Sequence, residues 1–301
     1  MTRFETCYLL PLAVLLATQL ALPAAYGLGS VERRFADYQG YSYQSPYKIR
    51  LDADLDAISA CDREPPRNDW RLESRTPFED WYGRRVLREL GSWGPEPRHY
   101  APPAYIDRMT ADQQRQRVIA VAESMIGLPY QHHHIPDFDP PADWPWHQVG
   151  FGRNSKGLDC SNFTGWIYNY GLGIRLNTNV HKQAELDQAD RGHGISTPIQ
   201  TLSGFSGYDD IRKRLLPGDL LYIRNNKGDI SHVVMWLGKY GVTPASQGSA
   251  ANDNMPLIID CTGEGRKDAN GADIPLGVQI RAFSKNSWYY KSFSHAKRII
   301  Q

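Results

Sequence analysis

The stretch GLDCSNF, residues 157–163, marks the point where a polar loop gives way to a helical pattern. Four apolar side chains follow at the spacing i, i+3, i+4 and i+7: Phe163, Trp166, Ile167 and Tyr170. This spacing predicts one apolar stripe on a helix, and Gly171 is a candidate for its end. Cys160 is therefore predicted to lie in the first turn, where the positive end of the helix dipole favours a thiolate.

The neighbours of Cys160 indicate a reactive thiol. A free cysteine is most often a buried core residue. Here Asp159, Ser161 and Asn162 place polar groups around the thiol, which is typical of an accessible helix start. Asp159 is also a candidate N-cap for the helix.

A histidine on a predicted strand supplies a partner for this thiol. His232 begins the apolar run HVVMWL, residues 232–237, and could take the proton of Cys160 as a general base. A base needs an acceptor on its second ring nitrogen, and Asp260 on the next predicted strand can fill that place. Because side chains alternate along a strand, Cys261 is expected to point away from Asp260 into the core.

Charge and the first residues restrict the environment of the protein. The chain has 34 Lys and Arg against 33 Asp and Glu, which gives no basic excess for nucleic acid or an anionic membrane. Residues 1–27 are typical of a secretory signal peptide, with Arg3, an apolar stretch over 9–22 and a small-x-small site at 25–27. We expect an exported protein, periplasmic or extracellular. No lipid anchor is expected, because Cys7 precedes the apolar stretch.

Three cysteines remain after removal of the signal peptide: Cys61, Cys160 and Cys261. If Cys160 stays free, Cys61 and Cys261 either form a disulfide or remain two unpaired thiols. The sequence leaves both possibilities open.

The mature chain divides into two segments. Residues 28–108 are rich in Tyr, Arg, Pro and Trp, and only 78–90 has a helical pattern, so we predict an extension that wraps the rest. The main domain is predicted over 109–301. Its first helix begins at a capping box of Thr110 and Gln113 and ends at 127–129.

Five strands are predicted after the Cys160 helix, over 220–223, 232–237, 257–261, 278–283 and 296–300. Helices come first and an antiparallel sheet follows, which is an α+β class.

Five short motifs in this order resemble the NlpC-type family of papain-like bacterial cell-wall cysteine peptidases. They are GLPY at 127–130, DCS at 159–161, PGDLL at 217–221, HVVMWLG at 232–238 and WYY at 288–290. The resemblance covers roughly the last two thirds of the chain, which is about one domain in length.

The resemblance implies a papain-like fold, N-terminal helices on an antiparallel sheet, and a cysteine endopeptidase. Such an enzyme cuts stem peptides of peptidoglycan through an acyl-thioester, commonly at the γ-D-glutamyl-diamino acid bond. Cys160 would be the nucleophile and His232 the base. The third position, usually histidine in the family, is Asp260 here.

The resemblance also implies substrate contacts. Tyr130 matches a tyrosine that lines the groove, and Asp159 and Ser161 match residues that help hold a free N-terminal amine. Asp159 could equally serve as the N-cap alone. The Trp-Gly-Gly-like continuation that usually follows the tyrosine is absent, and Trp144 and Trp146 either replace it or anchor the loop.

The sequence also leaves other interpretations of the loop and of the thiol open. The histidine run 132–134 could pack the loop or line the groove, and a metal site from His132, His134 and His147 is a further alternative. We expect no metal and no cofactor. The same thiol could serve an amidase that cuts between muramic acid and L-Ala, or an acyltransferase, and the scaffold could be an inactive wall-binding or assembly factor. The sequence carries no signal for the oligomeric state.

Overall fold

The structure is a computed structural model that describes residues 42–52, 74–91, 93–103, 105–131, 157–243 and 255–301. The predicted signal peptide, Cys61, Trp144, Trp146 and the histidines at 132–134 and 147 lie outside these ranges. Among the described residues there are six α-helices: α1 (Arg84–Leu90), α2 (Ala111–Ser124), α3 (Cys160–Leu172), α4 (Val180–Glu185), α5 (Tyr208–Arg214) and α6 (Trp288–Lys291). Short 3₁₀ helices occur at Phe78–Asp80, Ile106–Arg108 and Gly238–Tyr240.

Twelve strands occur within the same ranges. They are β1 (Lys48–Ile49), β2 (Gln188–Asp190), β3 (Ser196–Pro198), β4 (Gln200–Leu202), β5 (Leu220–Arg224), β6 (Ile230–Trp236), β7 (Gly241–Val242), β8 (Leu257–Thr262), β9 (Arg266–Lys267), β10 (Asp273–Ile274), β11 (Gly277–Ala282) and β12 (Phe293–Arg298). Six of them form one antiparallel sheet in the order β11-β8-β6-β5-β12-β4. The predicted α+β class is confirmed, and the five predicted strands are the five that lie side by side from β11 to β12.

The helix that begins at Cys160 differs from its prediction in two respects. It ends at Gly173, which has a left-handed φ of 67°, and not at Gly171. Gly171 lies inside the helix, where a β-carbon would come within 3.5 Å of the Val118 side chain on α2. This distance is an ordinary van der Waals contact, so Gly171 packs on α2 without being required there, and Gly173 supplies the left-handed residue that ends the helix.

Helix α3 is also buried on nearly all sides, whereas its sequence predicts one apolar stripe. Twelve of its residues are buried, with Tyr170 the exception. The sheet, α2 and α4 cover part of the helix, and residues of the 28–108 segment cover another part. In that segment the Tyr100 backbone N–H donates to Asn169 Oδ1 at 3.1 Å, and Asn169 Nδ2 donates to the Arg98 carbonyl at 2.5 Å.

Other parts of the 28–108 segment also pack on the main domain. Strand β1 pairs with β7. The Asp52 backbone N–H donates to Gln116 Oε1 on α2 at 2.9 Å. The helical pattern predicted over 78–90 forms two pieces, the 3₁₀ turn Phe78–Asp80 and α1, separated by a bend that includes Gly83.

The capping box at the start of α2 is present as predicted. Thr110 Oγ1 accepts from the Gln113 backbone N–H at 3.2 Å, and Gln113 Oε1 accepts from the Thr110 backbone N–H at 2.9 Å. Within the ranges that the structure describes, none of the helices has the length and apolar character needed to cross a bilayer.

Candidate active site

Cys160 is the first residue of α3, and Asp159 caps the helix. Asp159 Oδ1 accepts from the Asn162 backbone N–H at 2.9 Å, so the N-cap role considered for this residue is present. The thiol therefore lies where the dipole of a 13-residue helix is most positive. Cys160 is 8% exposed and His232 is 7% exposed, so a small part of each faces solvent.

The chain that leads into Cys160 is fixed by the GLPY segment. Leu158 forms a parallel bridge with Tyr130, in which the Leu158 N–H donates to the Pro129 carbonyl at 3.2 Å. The Gln131 N–H donates to the Leu158 carbonyl at 2.9 Å. A β-carbon on Gly157 would lie 2.5 Å from Gln131 Cβ, so this close approach requires glycine.

The other side of the GLPY segment pairs with the edge strand of the sheet. The Gly127 N–H donates to the Val278 carbonyl at 3.0 Å, and the Val278 N–H donates to the Leu128 carbonyl at 2.9 Å. Gly277 has a φ of 102°, and a β-carbon there would lie 2.1 Å from the Leu128 oxygen. The segment thus links β11 to the residues directly before the thiol.

His232 and Asp260 lie on the adjacent strands β6 and β8. His232 Nε2 is 2.7 Å from Asp260 Oδ2. Burial lowers the pKa of His232, but the charge of Cys160 and hydrogen bonds with Asp260 and Cys160 outweigh burial and raise this pKa to about 10. The structure brings together the three residues that the sequence proposed as a catalytic group, and it favours the charged imidazole.

Two further residues complete the surroundings of Asp260: Tyr289, from the WYY motif, and Arg281, which the sequence prediction did not include. Tyr289 Oη donates to Asp260 Oδ2 at 3.0 Å, and the Arg281 guanidinium donates to Oδ1. Burial alone would raise the pKa of Asp260, but Arg281, His232 and Tyr289 outweigh burial and lower it. A charged residue within the apolar run VQIRAF, residues 278–283, was the available signal for a buried ion pair.

The residues proposed for substrate contact lie beside the thiol. Ser161 is 4% exposed, and its hydroxyl lies 2.6 Å from the Thr178 carbonyl and 3.3 Å from Asp159 Oδ1. Tyr130 is half-buried. Burial and the nearby charges of Asp159 and Cys160 raise the pKa of Tyr130, which keeps its hydroxyl protonated.

Residues 148–257 match the model of the NlpC/P60 family. The predicted resemblance is confirmed. The matched segment contains Cys160 and His232 and ends three residues before Asp260. No curated protein matches the chain.

Solved structures with this family name are similar to parts of the chain. An NlpC/P60 family protein from Bacillus cereus is 18% identical, with a TM-score of 0.35, and the match covers 62% of this chain and 40% of that one. NlpC1 from Trichomonas vaginalis is 18% identical, with a TM-score of 0.29 and coverage of 51% and 38%. A lipoprotein-like NLP/P60 family protein from Staphylococcus aureus is 13% identical, with a TM-score of 0.34 and coverage of 92% and 62%. The chain spans less than two thirds of each of these proteins.

The PGD motif shared with the NlpC/P60 family builds a turn before β5. Gly218 has a φ of 88°, and its carbonyl accepts from Tyr168 Oη on α3 at 2.7 Å. Asp219 accepts from the Leu216 backbone N–H and from both Nε and Nη2 of Arg298, at 2.7 to 3.0 Å. The motif therefore connects the Cys160 helix to the sheet.

The second described cysteine, Cys261, is a free and fully buried thiol. Its Sγ lies 2.9 Å from the Leu158 carbonyl, and burial raises its pKa well above the usual value. The prediction that Cys261 points into the core is confirmed. Cys261 is not part of a disulfide, and its proposed partner Cys61 lies outside the described residues.

The metal site that the sequence offers as an alternative falls in the histidine-rich loop. Within the described residues, no group of three or more His, Cys, Asp or Glu side chains is arranged to hold a metal ion. The histidines considered for such a site, His132, His134 and His147, lie outside those residues.

Proposed function

We propose that this protein is an exported cysteine peptidase that hydrolyses an amide bond in peptidoglycan stem peptides. The observation that carries the proposal is the Cys160 thiol at the start of α3, beside a His232 imidazole that is hydrogen-bonded to the buried Asp260 carboxylate. The NlpC/P60 match supports a cell-wall substrate. The signal-peptide pattern of residues 1–27 supports export.

The first step is formation of the thiolate. His232 Nε2 is engaged by Asp260, so Nδ1 is the ring atom left to take the thiol proton. The raised pKa of His232 favours the imidazolium. The resulting thiolate is stabilised by this cation and by the positive end of α3.

The thiolate then attacks the amide carbon and forms an acyl-thioester. Negative charge develops on the amide oxygen, and backbone N–H groups at the start of α3, including that of Cys160, are suited to stabilise it because they lack helical acceptors. His232 passes its proton to the departing amine. Water, deprotonated by the same imidazole, then hydrolyses the thioester.

Residues beside the thiol would orient the substrate. The electrostatic interaction of Tyr130 with Asp159 and Cys160 supports a role for Tyr130 in lining the substrate groove. The Asp159 carboxylate would favour a cationic amine at the end of a stem peptide. We propose the γ-D-glutamyl-diamino acid bond as the one that is cleaved.

Incubation of the purified chain with muropeptides, followed by mass spectrometry, tests the proposal. We expect fragments that end at D-glutamate, and loss of turnover in Cys160→Ala. Cys261→Ala, which removes the buried thiol, is the matched control and should retain turnover. A fragment cut between muramic acid and L-Ala would indicate an amidase instead. Full turnover by Cys160→Ala would overturn the proposed nucleophile.

A further inference from the structure

The Arg281 guanidinium is held in place by the backbone of its own hairpin. Nη1 donates to the Gln279 carbonyl at 3.2 Å, and Nη2 donates to the carbonyls of Pro275 at 3.2 Å and Gly277 at 3.4 Å. Arg281 is only 1% exposed. These contacts hold the guanidinium independently of its pairing with Asp260. Its position therefore does not depend on the substrate or on His232.

The two oxygens of Asp260 have different partners. Oδ1 accepts from Arg281, whereas Oδ2 accepts from His232 and from Tyr289. Asp260 is completely buried, and a buried carboxylate is stable only when it is paired and hydrogen-bonded. Donors from three different elements, β6, β11 and α6, therefore fix the plane of the carboxylate.

We propose that Arg281 and Tyr289 are positioning residues, which hold the Asp260 carboxylate charged and aimed at His232. This inference rests on the proposed function, in which Asp260 stabilises the imidazolium form of the base. Neither residue touches the reacting atoms in this mechanism. Arg281 fixes the charge through Oδ1, and Tyr289 fixes the orientation through Oδ2.

Titratable and charged groups face the His232–Asp260 pair from every described element packed against it. Cys160 on α3 faces His232, and Arg281 and Tyr289 face Asp260. Arg266 on β9 acts on Tyr289 from outside, with its guanidinium 5.6 Å from the ring centroid of Trp288. Arg281 is the cation nearest to Asp260 in this set, so its removal should have the largest effect.

The rate of alkylation of Cys160 by iodoacetamide as a function of pH tests the inference without any substrate, with the modified residue identified by mass spectrometry. In the wild-type chain we expect alkylation to persist well below the ordinary thiol pKa of about 8.5. In Arg281→Met the buried carboxylate should take up a proton. The imidazolium is then lost, and alkylation at about pH 6 should fall at least about tenfold. Arg281→Lys should restore part of the rate.

The chain offers a matched control for each variant. Arg298→Met removes the cation paired with another buried aspartate, Asp219, and should change stability without moving the alkylation profile. Tyr289→Phe keeps the ring and removes one hydrogen bond, so we expect a smaller shift of about two- to fivefold in rate. Tyr240→Phe removes a comparable bond, from Tyr240 Oη to Asp112 Oδ2 at 2.7 Å, and should leave the profile unchanged.

The outcomes separate this inference from the proposed function. Wild-type profiles in both Arg281→Lys and Tyr289→Phe would overturn the positioning role even if Arg281→Met fails to fold. A wild-type chain whose Cys160 titrates as an ordinary thiol would overturn the proposed function and this inference together. Shifted profiles with no muropeptide cleavage would support the positioning role and reject the substrate.

Discussion

Tyr168 on the Cys160 helix donates a hydrogen bond of 2.7 Å to the backbone carbonyl of Gly218. Both groups are buried, and the bond joins α3 to the turn that starts β5. Removal of the hydroxyl leaves this carbonyl without its tyrosine donor. Because an unsatisfied buried acceptor is unfavourable, Tyr168→Phe should lower the free energy of unfolding by about 1–3 kcal/mol. Urea denaturation measures this change.

The matched control for that prediction is Tyr208→Phe. Tyr208 Oη donates to the Phe283 carbonyl at 2.6 Å, but Tyr208 is half-buried, so water can replace the lost bond. The loss of stability in Tyr208→Phe should therefore be smaller than that in Tyr168→Phe. Equal losses in the two variants would contradict a specific role for the Tyr168 bond.

Asp260→Asn should reduce turnover because the neutral amide does not stabilise the imidazolium of His232. We expect a loss of about 10²-fold or more in the rate of muropeptide cleavage, in the range that general acid-base catalysis contributes. The variant also leaves Arg281 buried without its anion, so stability should fall. Asp219→Asn, which disturbs the buried pair with Arg298, should lose stability but retain turnover per folded molecule. Equal turnover in the two variants would argue against a catalytic role for Asp260.

The raised pKa of His232 predicts how stability depends on pH. The pKa rises from its usual value of 6.5 to about 10, so the folded state holds the proton more tightly than the unfolded chain does. The resulting stabilisation is fully present below about 6.5 and is lost as pH rises through about 10. The difference in free energy of unfolding between wild type and His232→Gln should therefore shrink over this interval.

The contribution of His295 to stability should depend on pH in the opposite direction. Burial lowers the pKa of His295, so its contribution to stability is present above the usual pKa and is lost as pH falls. The difference between wild type and His295→Gln should grow with rising pH. Parallel behaviour of the two histidine variants would contradict one of the two assignments.

Gly277→Ala should be strongly destabilising for two reasons. The φ of 102° is unfavourable for alanine, and the new β-carbon would lie 2.1 Å from the Leu128 oxygen. Gly271→Ala is the matched control, since its φ is 79° but a β-carbon there would have no neighbour within 4 Å. We expect about 1–3 kcal/mol from the backbone conformation in either variant, and a further loss in Gly277→Ala alone. Equal denaturation midpoints would show that the contact with Leu128 relaxes freely.

Much of the fold and the central site could be predicted because the signals are local. The capping box of Thr110, the polar cap before Cys160 and the alternation that separates Asp260 from Cys261 each involve a few neighbouring residues. The central strands could be predicted from their apolar β-branched runs in the same way.

The pairing of Asp260 with Arg281 could not be predicted because it depends on strand register. In the sheet Gln279 pairs with Asp260, and only this register brings Arg281 to the carboxylate. The alternation of side chains along β11 determines which residues share a face of the sheet. It does not determine which residue of β8 lies opposite each of them. The predicted end of α3 at Gly171 was wrong for a related reason. Gly171 packs against Val118, which is distant in the sequence.

The aromatic cover over α3 has a consequence for shortened versions of the protein. Tyr100 packs edge-on against Tyr170 at 5.1 Å and against Trp166 at 6.2 Å, and Trp166 and Tyr170 stack on each other at 4.6 Å between ring centroids. A truncated chain that starts at residue 109 would present these two rings to water. Apolar surface of that kind promotes aggregation, so recombinant fragments should retain the preceding residues.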